Sequence, residues 1–560
     1  MLRSNFERGS TRWAVRRAQW LAMGLKEEDF EKPKIAVINS SSTLSVCYIH
    51  LDEVSKAVQQ AIREAGGLPF EIRTAAPSDF ITSGGLKGRY LLPSRDLVVN
   101  DIEVMVEGAC LDGMLLLSSC DKTTPAHLMA AGRLNLPSIV VPCGYQLGGN
   151  CRGHEVDIEE VYKAVGTVST GLMKVEELEE WTRVAIQGPG VCAGLATANS
   201  MHVMAEALGM ALPGTTPIRA GSEKLFQCAR RSAERVVQMA REQIRPRQVL
   251  TAGALRNAVT VAVAIGASVN TVRHLAAIAT EAELDLDIIA LFEEISRSVP
   301  QITSIKPNGP DRIEHFEAAG GTRGVMQQLK EKLHLEVRTV GGKSLAEVLE
   351  ERIDVDEKVI RPLERPFRPE PGLVILRGNL APEGAIVKLS AVPDARRQFA
   401  GPARVFEDED FAIVELSKGN IRPGDVVVLR MMGPAGGPGT VFACSFMAAL
   451  VGAGLAESVA VLTDGELSGL NRGITVGQVM PEAACGGPLA VVREGERIRI
   501  DLIVRRVDLE IGEGEIRRRL GEWKRPERHL KAGWLAIYAN EVQPLSQGAV
   551  LGRRKSARES

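Results

Sequence analysis

Over the first part of the chain, short apolar runs alternate with stretches whose apolar residues recur every three or four positions. "KPKIAVINSS" reads as a short buried strand and "HLDEVSKAVQQAIREAGGLPF" as a helix closed by a glycine pair. "VEGACLDGMLLLSSC" gives a second strand, a helix follows through "AHLMAAGRL", and "LPSIVVPCG" gives a third strand. Strands alternating with amphipathic helices predict a parallel sheet with helices on both faces. Further helices are predicted in "GLATANSMHVMAEALGM", "FQCARRSAERVVQMAREQI" and "VNTVRHLAAIATEAELDL".

The texture changes near residue 360. "VIRPLERPFRPEPGLVILRGNL" is rich in proline and charge and reads as a linker. Beyond it come short apolar segments separated by turns: "GAIVKLSA", "ARVFED", "FAIVEL", "GDVVVLRMMG", "VAVLTDG" and "LAVVREGERIRIDLIVRRVDL". That spacing predicts a mostly β domain of barrel or sandwich type with a few helices. The fold class is an α/β N-terminal domain with a parallel sheet over 1–360, a linker over 361–375, and a mostly β, barrel-like C-terminal domain over 376–560. A chain of 560 residues is too long for one core, which agrees with two domains. No internal repeat is visible.

Composition narrows the function classes. Apolar residues make up 45% and charged residues 25%, a globular balance. The 68 basic side chains against 70 acidic ones give a net charge of −2, with no long-range pull toward nucleic acid or anionic lipid. No apolar run reaches the roughly 18 residues of a membrane-spanning helix. Arg3, Arg8, Arg12, Arg16 and Arg17 give the N-terminus the look of a transit peptide, but Glu7 and the lack of a secretory-type apolar core argue for an exposed basic helix. Nine cysteines without a signal peptide predict reduced thiols in a cytoplasmic protein, some of them metal ligands.

Three cysteines stand apart. Cys47 in "LSVCYIHL", Cys120 in "SSCDK" and Cys192 in "GPGVCAGLATANS" lie in strand-to-helix or glycine-rich connections, where backbone amides and helix N-termini favour a thiolate. Converging, they would suit an iron–sulfur cluster with an incomplete ligand set; scattered, they are small buried apolar residues. No CxxC occurs. An iron short of one protein ligand is a Lewis acid that can make a hydroxyl a better leaving group. Beside Cys120, Asp121 offers a hard oxygen to magnesium, and Lys122 offers a phosphate or carboxylate partner or, once carbamylated, a metal ligand. Against this stands the bland reading, a helix-entry acid and a surface salt bridge. Ser468 follows an apolar strand in "LTDGELSGLNRG" and reads as a loop serine unless a cation stabilises its alkoxide. "GPAGGPG", residues 433–439, is a glycine loop without the GK[ST] ending of a phosphate loop.

Taken in order, "CYIHLDEVSKAV", "GRYLLPSRDL", "CDKTTPAHLMAAGRLNLPSIVV", "GPGVCAGLATANSM", "EALGMALPG", "VIRPLERP", "LRGNLAPEGAIVKLSAV", "GPAGGPG", "TDGELSGLNRG" and "MPEAACGGPLAVV" resemble the dihydroxy-acid dehydratase and phosphogluconate dehydratase family over nearly the whole chain. The resemblance implies an enzyme that removes water from a 2,3-dihydroxy carboxylate to give a 2-keto acid. It implies a [2Fe–2S] cluster on Cys47, Cys120 and Cys192, and magnesium on Asp79, Asp121 and a carbamylated Lys122. It also implies Ser468 as the base that takes the C2 proton, and a homodimer or dimer of dimers acting on a small hydroxy acid. The match begins near residue 3, which removes most of the case for a transit peptide.

The sequence also departs from the family. Where the resemblance implies a magnesium-ligand glutamate after the glycine loop, this chain reads "GGPGTVFACSFM" and places Phe442. The family's arginine in "TDGRFSG" is Glu466 here, and its common histidine before the PEA motif is Gln478. "IGASVN" replaces a GGSTN pattern, and "SSSTLSVC" a stretch usually carrying Trp-Asn-Glu. Two readings stay open: a working dehydratase with an altered magnesium site, for which Glu466 is a candidate substitute, or a cluster-bearing homologue that has lost the chemistry. On substrate, "TDG", "SGLNRG" and "LPSRDL" lean toward a branched-chain dihydroxy acid, with a sugar acid as the alternative.

Overall fold

The computed structural model describes residues 2–85, 88–169, 171–307, 309–467, 472–526 and 532–552. Four strands form a parallel sheet in the N-terminal part: β1 (Lys34–Asn39), β2 (Leu68–Arg73), β3 (Gly113–Ser118) and β4 (Ser138–Pro142), in the order β2-β1-β3-β4. Val37 pairs with Leu115 and Leu116 with Val140. Every residue of β1, β3 and β4 is buried, as a parallel sheet covered on both faces requires. The helices Leu51–Glu64 and Glu223–Glu242 pack on each other and on the sheet, and Thr123–Leu134 packs on β3 and β4. Each Leu, Ile or Val buried there contributes about 1.5–3 kcal/mol. β2 goes beyond the sequence reading, which assigned its first residues to the end of the preceding helix.

A small antiparallel hairpin, β5 (Gly149–Cys151) and β6 (His154–Val156), separates this sheet from a long helical stretch. The second sheet has eight strands: β7 (Leu373–Leu376), β8 (Gly384–Lys388), β9 (Gln398–Phe406), β10 (Val426–Leu429), β11 (Ala460–Thr463), β12 (Thr475–Met480), β13 (Arg497–Asp501) and β14 (Arg506–Leu509). Their order is β14-β13-β9-β10-β11-β12-β8-β7. The pairs from β9 through β12 are parallel and the outer pairs antiparallel. The two edge strands then meet: the Val507 amide donates to Arg377 O at 2.9 Å, and the Arg377 amide to Arg505 O at 3.0 Å. The sheet is thus nearly a barrel, and its edges are not left open. The seam needs Gly378, whose Cβ would lie 2.0 Å from Val507 O.

Alternation fills both sides of the second sheet. Val374, Val387, Val426, Val428, Leu462, Ile498 and Ile500 form one cluster. Their neighbours Leu373, Ile386, Val427, Leu429 and Val461 belong to the cluster that also holds the N-terminal sheet. The two parts therefore share a core. β7 begins at Leu373, inside the segment read as a linker. The end of the chain returns to the N-terminal part: buried Arg95 donates to Ala549 O at 2.8 Å, and the Leu551 amide to Asp96 Oδ1 at 2.9 Å. "FAIVEL", expected among the strand-like segments, is instead the helix Glu409–Ser417. Asp408 caps it by accepting from the Phe411 amide, a local bond that a strand cannot make.

Candidate active site

The carboxyl end of β3 delivers three side chains at one turn. Cys120 and Asp121 follow the strand, and Lys122 sits at the N-cap of the helix Thr123–Leu134. Side-chain hydroxyls hold the turn: Ser119 Oγ donates to Cys47 O at 2.6 Å, and Thr123 Oγ1 to Cys120 O at 3.2 Å. The first of these ties it to the segment after β1. Cys47 thus arrives from the neighbouring strand, and Cys192 from the loop before the helix Thr197–Ala207. All three cysteines line one cavity, together with Asp79, Asp121, Phe80, Glu159 and Phe442. Asp79, Cys120 and Asp121 place ligand atoms within 4.8 Å of one another. Ser468 lies outside the described residues.

Cys120 and Cys192 do not follow the expectation that their surroundings favour a thiolate. A hydrogen bond with Cys47, and burial, push Cys120 well above the usual thiol range. Burial and neighbouring Cys120 do the same to Cys192. Both therefore bind a soft cation only by giving up a proton.

Lys122 is no surface residue: it is fully buried. Its Nζ lies 2.9 Å from Glu466 Oε1, 3.8 Å from Asp79 Oδ1 and 3.9 Å from Asp121 Oδ2. Arg273, equally buried, reaches the same Glu466 Oε1 at 3.0 Å. Burial alone would raise the Glu466 carboxyl, but Arg273 and Lys122 outweigh it and hold it down to about 2. Burial pulls the Lys122 ammonium down, and Asp79, Glu466 and Asp121 together carry it above its ordinary value. Asp79 is pushed well above the carboxylate range by burial and by Asp121. Phe442 and Glu466 are bridge partners, the Glu466 amide donating to Val441 O at 3.1 Å.

The glycine loop 433–439 is gripped by two buried acids that sequence reasoning gave no role. Asp464 accepts from the Met432 and Ala483 amides, both at 2.8 Å, and Glu482 from the Gly436 amide at 3.0 Å. At Gly433 a Cβ would stand 2.4 Å from Glu482 Oε2, so the loop closes only around glycine. Gln478 donates to Asn270 Oδ1 at 2.9 Å and fastens β12 to the helix Asn270–Glu281.

Glu159 was also missed, since in sequence it is only a first-turn acid of the helix Ile158–Ser169. Asp157 caps that helix, and Glu159 turns inward with both carboxylate oxygens buried and unpartnered among the described residues. Burial and Asp157 raise it to about 7. A raised carboxyl favours the fold below its unfolded value, near 4.5, and withdraws that stability as pH climbs through 7. Glu159→Gln lacks this slope. Thermal melts of the metal-free proteins should show the variant gaining on wild type by on the order of 2–3 kcal/mol between pH 4.5 and 8. Parallel curves would mean that Glu159 finds a partner in solution.

Two family models match the chain: Dihydroxy-acid/6-phosphogluconate dehydratase N-terminal over residues 32–348, and the C-terminal counterpart over residues 358–549. Among similar proteins, the dihydroxy-acid dehydratase of Syntrophobacter fumaroxidans is 41% identical over 552 residues, covering 98% of this chain and 99% of the relative. That of Methanothrix thermoacetophila is 42% identical over 554 residues, with 98% and 100% covered. That of Acetivibrio thermocellus is 41% identical with the same coverage.

Proposed function

We propose that this chain, which belongs to the dihydroxy-acid/6-phosphogluconate dehydratase family of hydro-lyases, converts a branched 2,3-dihydroxy carboxylate to the 2-keto acid. The observation that carries the reading is the single cavity lined by Cys47, Cys120, Cys192, Asp79 and Asp121. The donors divide by chemistry. Three thiols offer soft ligands of the kind an iron–sulfur cluster takes, here a [2Fe–2S] centre. Asp79 and Asp121 offer hard oxygens suited to magnesium, and the buried Asp79 Oδ1 has no hydrogen-bond partner among the described residues. Lys122, as an ammonium, is a counter-ion at this spot; as a carbamate it would join the ligands. When bound, the cluster and the cation supply Lewis acidity to the two hydroxyls and the carboxylate of the substrate.

The chain's own residues then have defined tasks. Ser468, two residues beyond Glu466 in sequence, takes the proton from C2. The C3 hydroxyl leaves with the electrons of its C–O bond, the C2–C3 double bond forms, and the enol becomes the keto acid. Phe80, Ala196 and Phe442 give the cavity apolar walls, which favour an alkyl substituent over further hydroxyls. All nine cysteines are free thiols, in keeping with a reducing, cytoplasmic setting. No helix among the described residues is long and apolar enough to cross a membrane. The working form is a homodimer or a dimer of dimers, which light scattering on the purified protein will read.

The test is turnover by protein purified without oxygen, offered branched 2,3-dihydroxy acids and a panel of aldonates, with iron, sulfide and magnesium counted in parallel. The expected result is keto-acid formation with kcat/KM at least about tenfold higher for the branched acids, the discrimination a single apolar wall supplies. A preference for aldonates would move the substrate to the sugar acids. An intact cluster with no turnover on any substrate would make the chain a cluster-bearing homologue without this chemistry.

A further inference from the structure

Three carboxylates, from Asp79, Asp121 and Glu466, surround one point in the buried site, the Lys122 ammonium marking its centre. Lys122 and Arg273 are the two buried cations that meet them. The oxygens of Glu466 are used unequally. Oε1 takes both protein cations, at 2.9 and 3.0 Å, while Oε2 is buried without a hydrogen-bond partner among the described residues. Asp79 Oδ1, 3.8 Å from the same ammonium, also accepts no hydrogen bond among the described residues. A carboxylate oxygen in a dry site that accepts no hydrogen bond, such as Glu466 Oε2, is costly unless something positive meets it. The neighbouring position 442 carries a phenyl ring that can ligate nothing, and 442 and 466 are bridged across adjacent segments. Positions 442 and 466 are therefore neighbours in the fold.

We infer that Glu466 supplies the third carboxylate of the divalent-cation site formed with Asp79 and Asp121, with Oε2 as its ligand atom and Arg273 holding Oε1. The inference rests on the cation reading given under Proposed function and adds to it a ligand. Magnesium and manganese both accept such all-oxygen sets. Arg273 is a positioning residue: its guanidinium pairs with Oε1 at 3.0 Å and leaves Oε2 for the cation.

Manganese is the probe, titrated into the chelator-stripped full-length protein and followed by the electron paramagnetic resonance of the free ion, which needs no turnover. Wild type is expected to take up one Mn2+ per chain at this site. Glu466→Gln should bind it at least about tenfold more weakly, as loss of a metal-site partner does. Adding Phe442→Glu to that variant should restore affinity by returning a carboxylate from the bridged position. Because Gln leaves Arg273 without its anion, Glu466→Asp serves as the folded control. It keeps the charge, shortens the reach by one methylene, and should weaken Mn2+ binding without lowering the melting temperature by more than a few degrees. Wild-type affinity in a folded Glu466→Gln or in Glu466→Asp would overturn the role of Glu466 and leave the Asp79–Asp121 cation standing. Absence of Mn2+ uptake by wild type would overturn both.

Discussion

Replacing Cys120 by serine is expected to strip the iron from the protein and lower dehydration at least about a hundredfold, with the fold intact. The size of the effect follows from where the residue stands. β3 is hydrogen-bonded on both sides, to β1 and β4, and wholly buried, so its carboxyl end cannot shift to bring a substitute ligand into place. Ligand sites of open α/β sheets lie at these strand ends. Serine is nearly isosteric but hard and very weakly acidic, and iron in such clusters is held by thiolate. The turn itself does not depend on the thiol: Ser119 holds Cys47 O, Thr123 holds Cys120 O, and His202 Nε2 lies 2.8 Å from Ser119 O. Iron analysis and the visible absorption of anaerobic protein read the loss, and circular dichroism reads the fold. Cys143 is the matched control. It follows β4, the next strand, but is fully buried, points its Sγ at Val141 O at 3.3 Å and takes no part in lining the cavity. Cys143→Ser should keep its iron. Iron at wild-type level in Cys120→Ser, with ordinary turnover, would remove the cluster from this cavity.

Those two cysteines show how far a sequence can be read. "SSCDK" and "VPCG" both end apolar runs, and nothing local says which thiol faces a cavity; the ordered family motifs separated them. Periodicity recovered β1, β3 and β4 because strands buried on both faces are unbroken apolar runs. It missed β2, whose "LPFEIR" is a half-exposed edge strand hidden behind Gly66 and Gly67. It misread "FAIVEL" because four apolar residues in a row suit either period, while the deciding cap, Asp408, lies just upstream. The charge constellation lay further out of reach. Lys122 and Glu466 are 344 positions apart, and Arg273 carries no motif that marks it as their partner. Such a triad is a product of the packed core the two parts share. Sequence comparison flagged Glu466 and Phe442 as departures one at a time; their being bridged neighbours is a fact of the fold.

Arg273→Met tests that triad through stability, without any metal or substrate. The expected result is a loss of about 3–5 kcal/mol in the metal-free protein, the usual cost of removing one partner from a buried ion pair. Methionine fills much of the arginine's volume, so the loss reports the charge more than a cavity. Glu466 would keep only Lys122, a cation it shares with Asp79 and Asp121. His274, held neutral by burial and by Arg273 beside it, returns a little of this once its neighbour is gone. The pH dependence carries the sharper signature. A carboxyl depressed from near 4.5 to about 2 lends stability that is complete above 4.5 and drains away as pH falls toward 2. Without Arg273 the carboxyl rises toward its ordinary range and above it, since burial is no longer outweighed to the same degree. The acid limb of the stability curve should therefore move to higher pH in the variant, and wild type and variant should converge only where Glu466 is protonated in both. Arg256→Met, which breaks an exposed pair with Glu294, sets the scale: it should cost less than about 1 kcal/mol and leave the acid limb unmoved. A melt of Arg273→Met as high as wild type between pH 3 and 7 would show that Glu466 needs no guanidinium. In that event Lys122 alone would be its counter-ion.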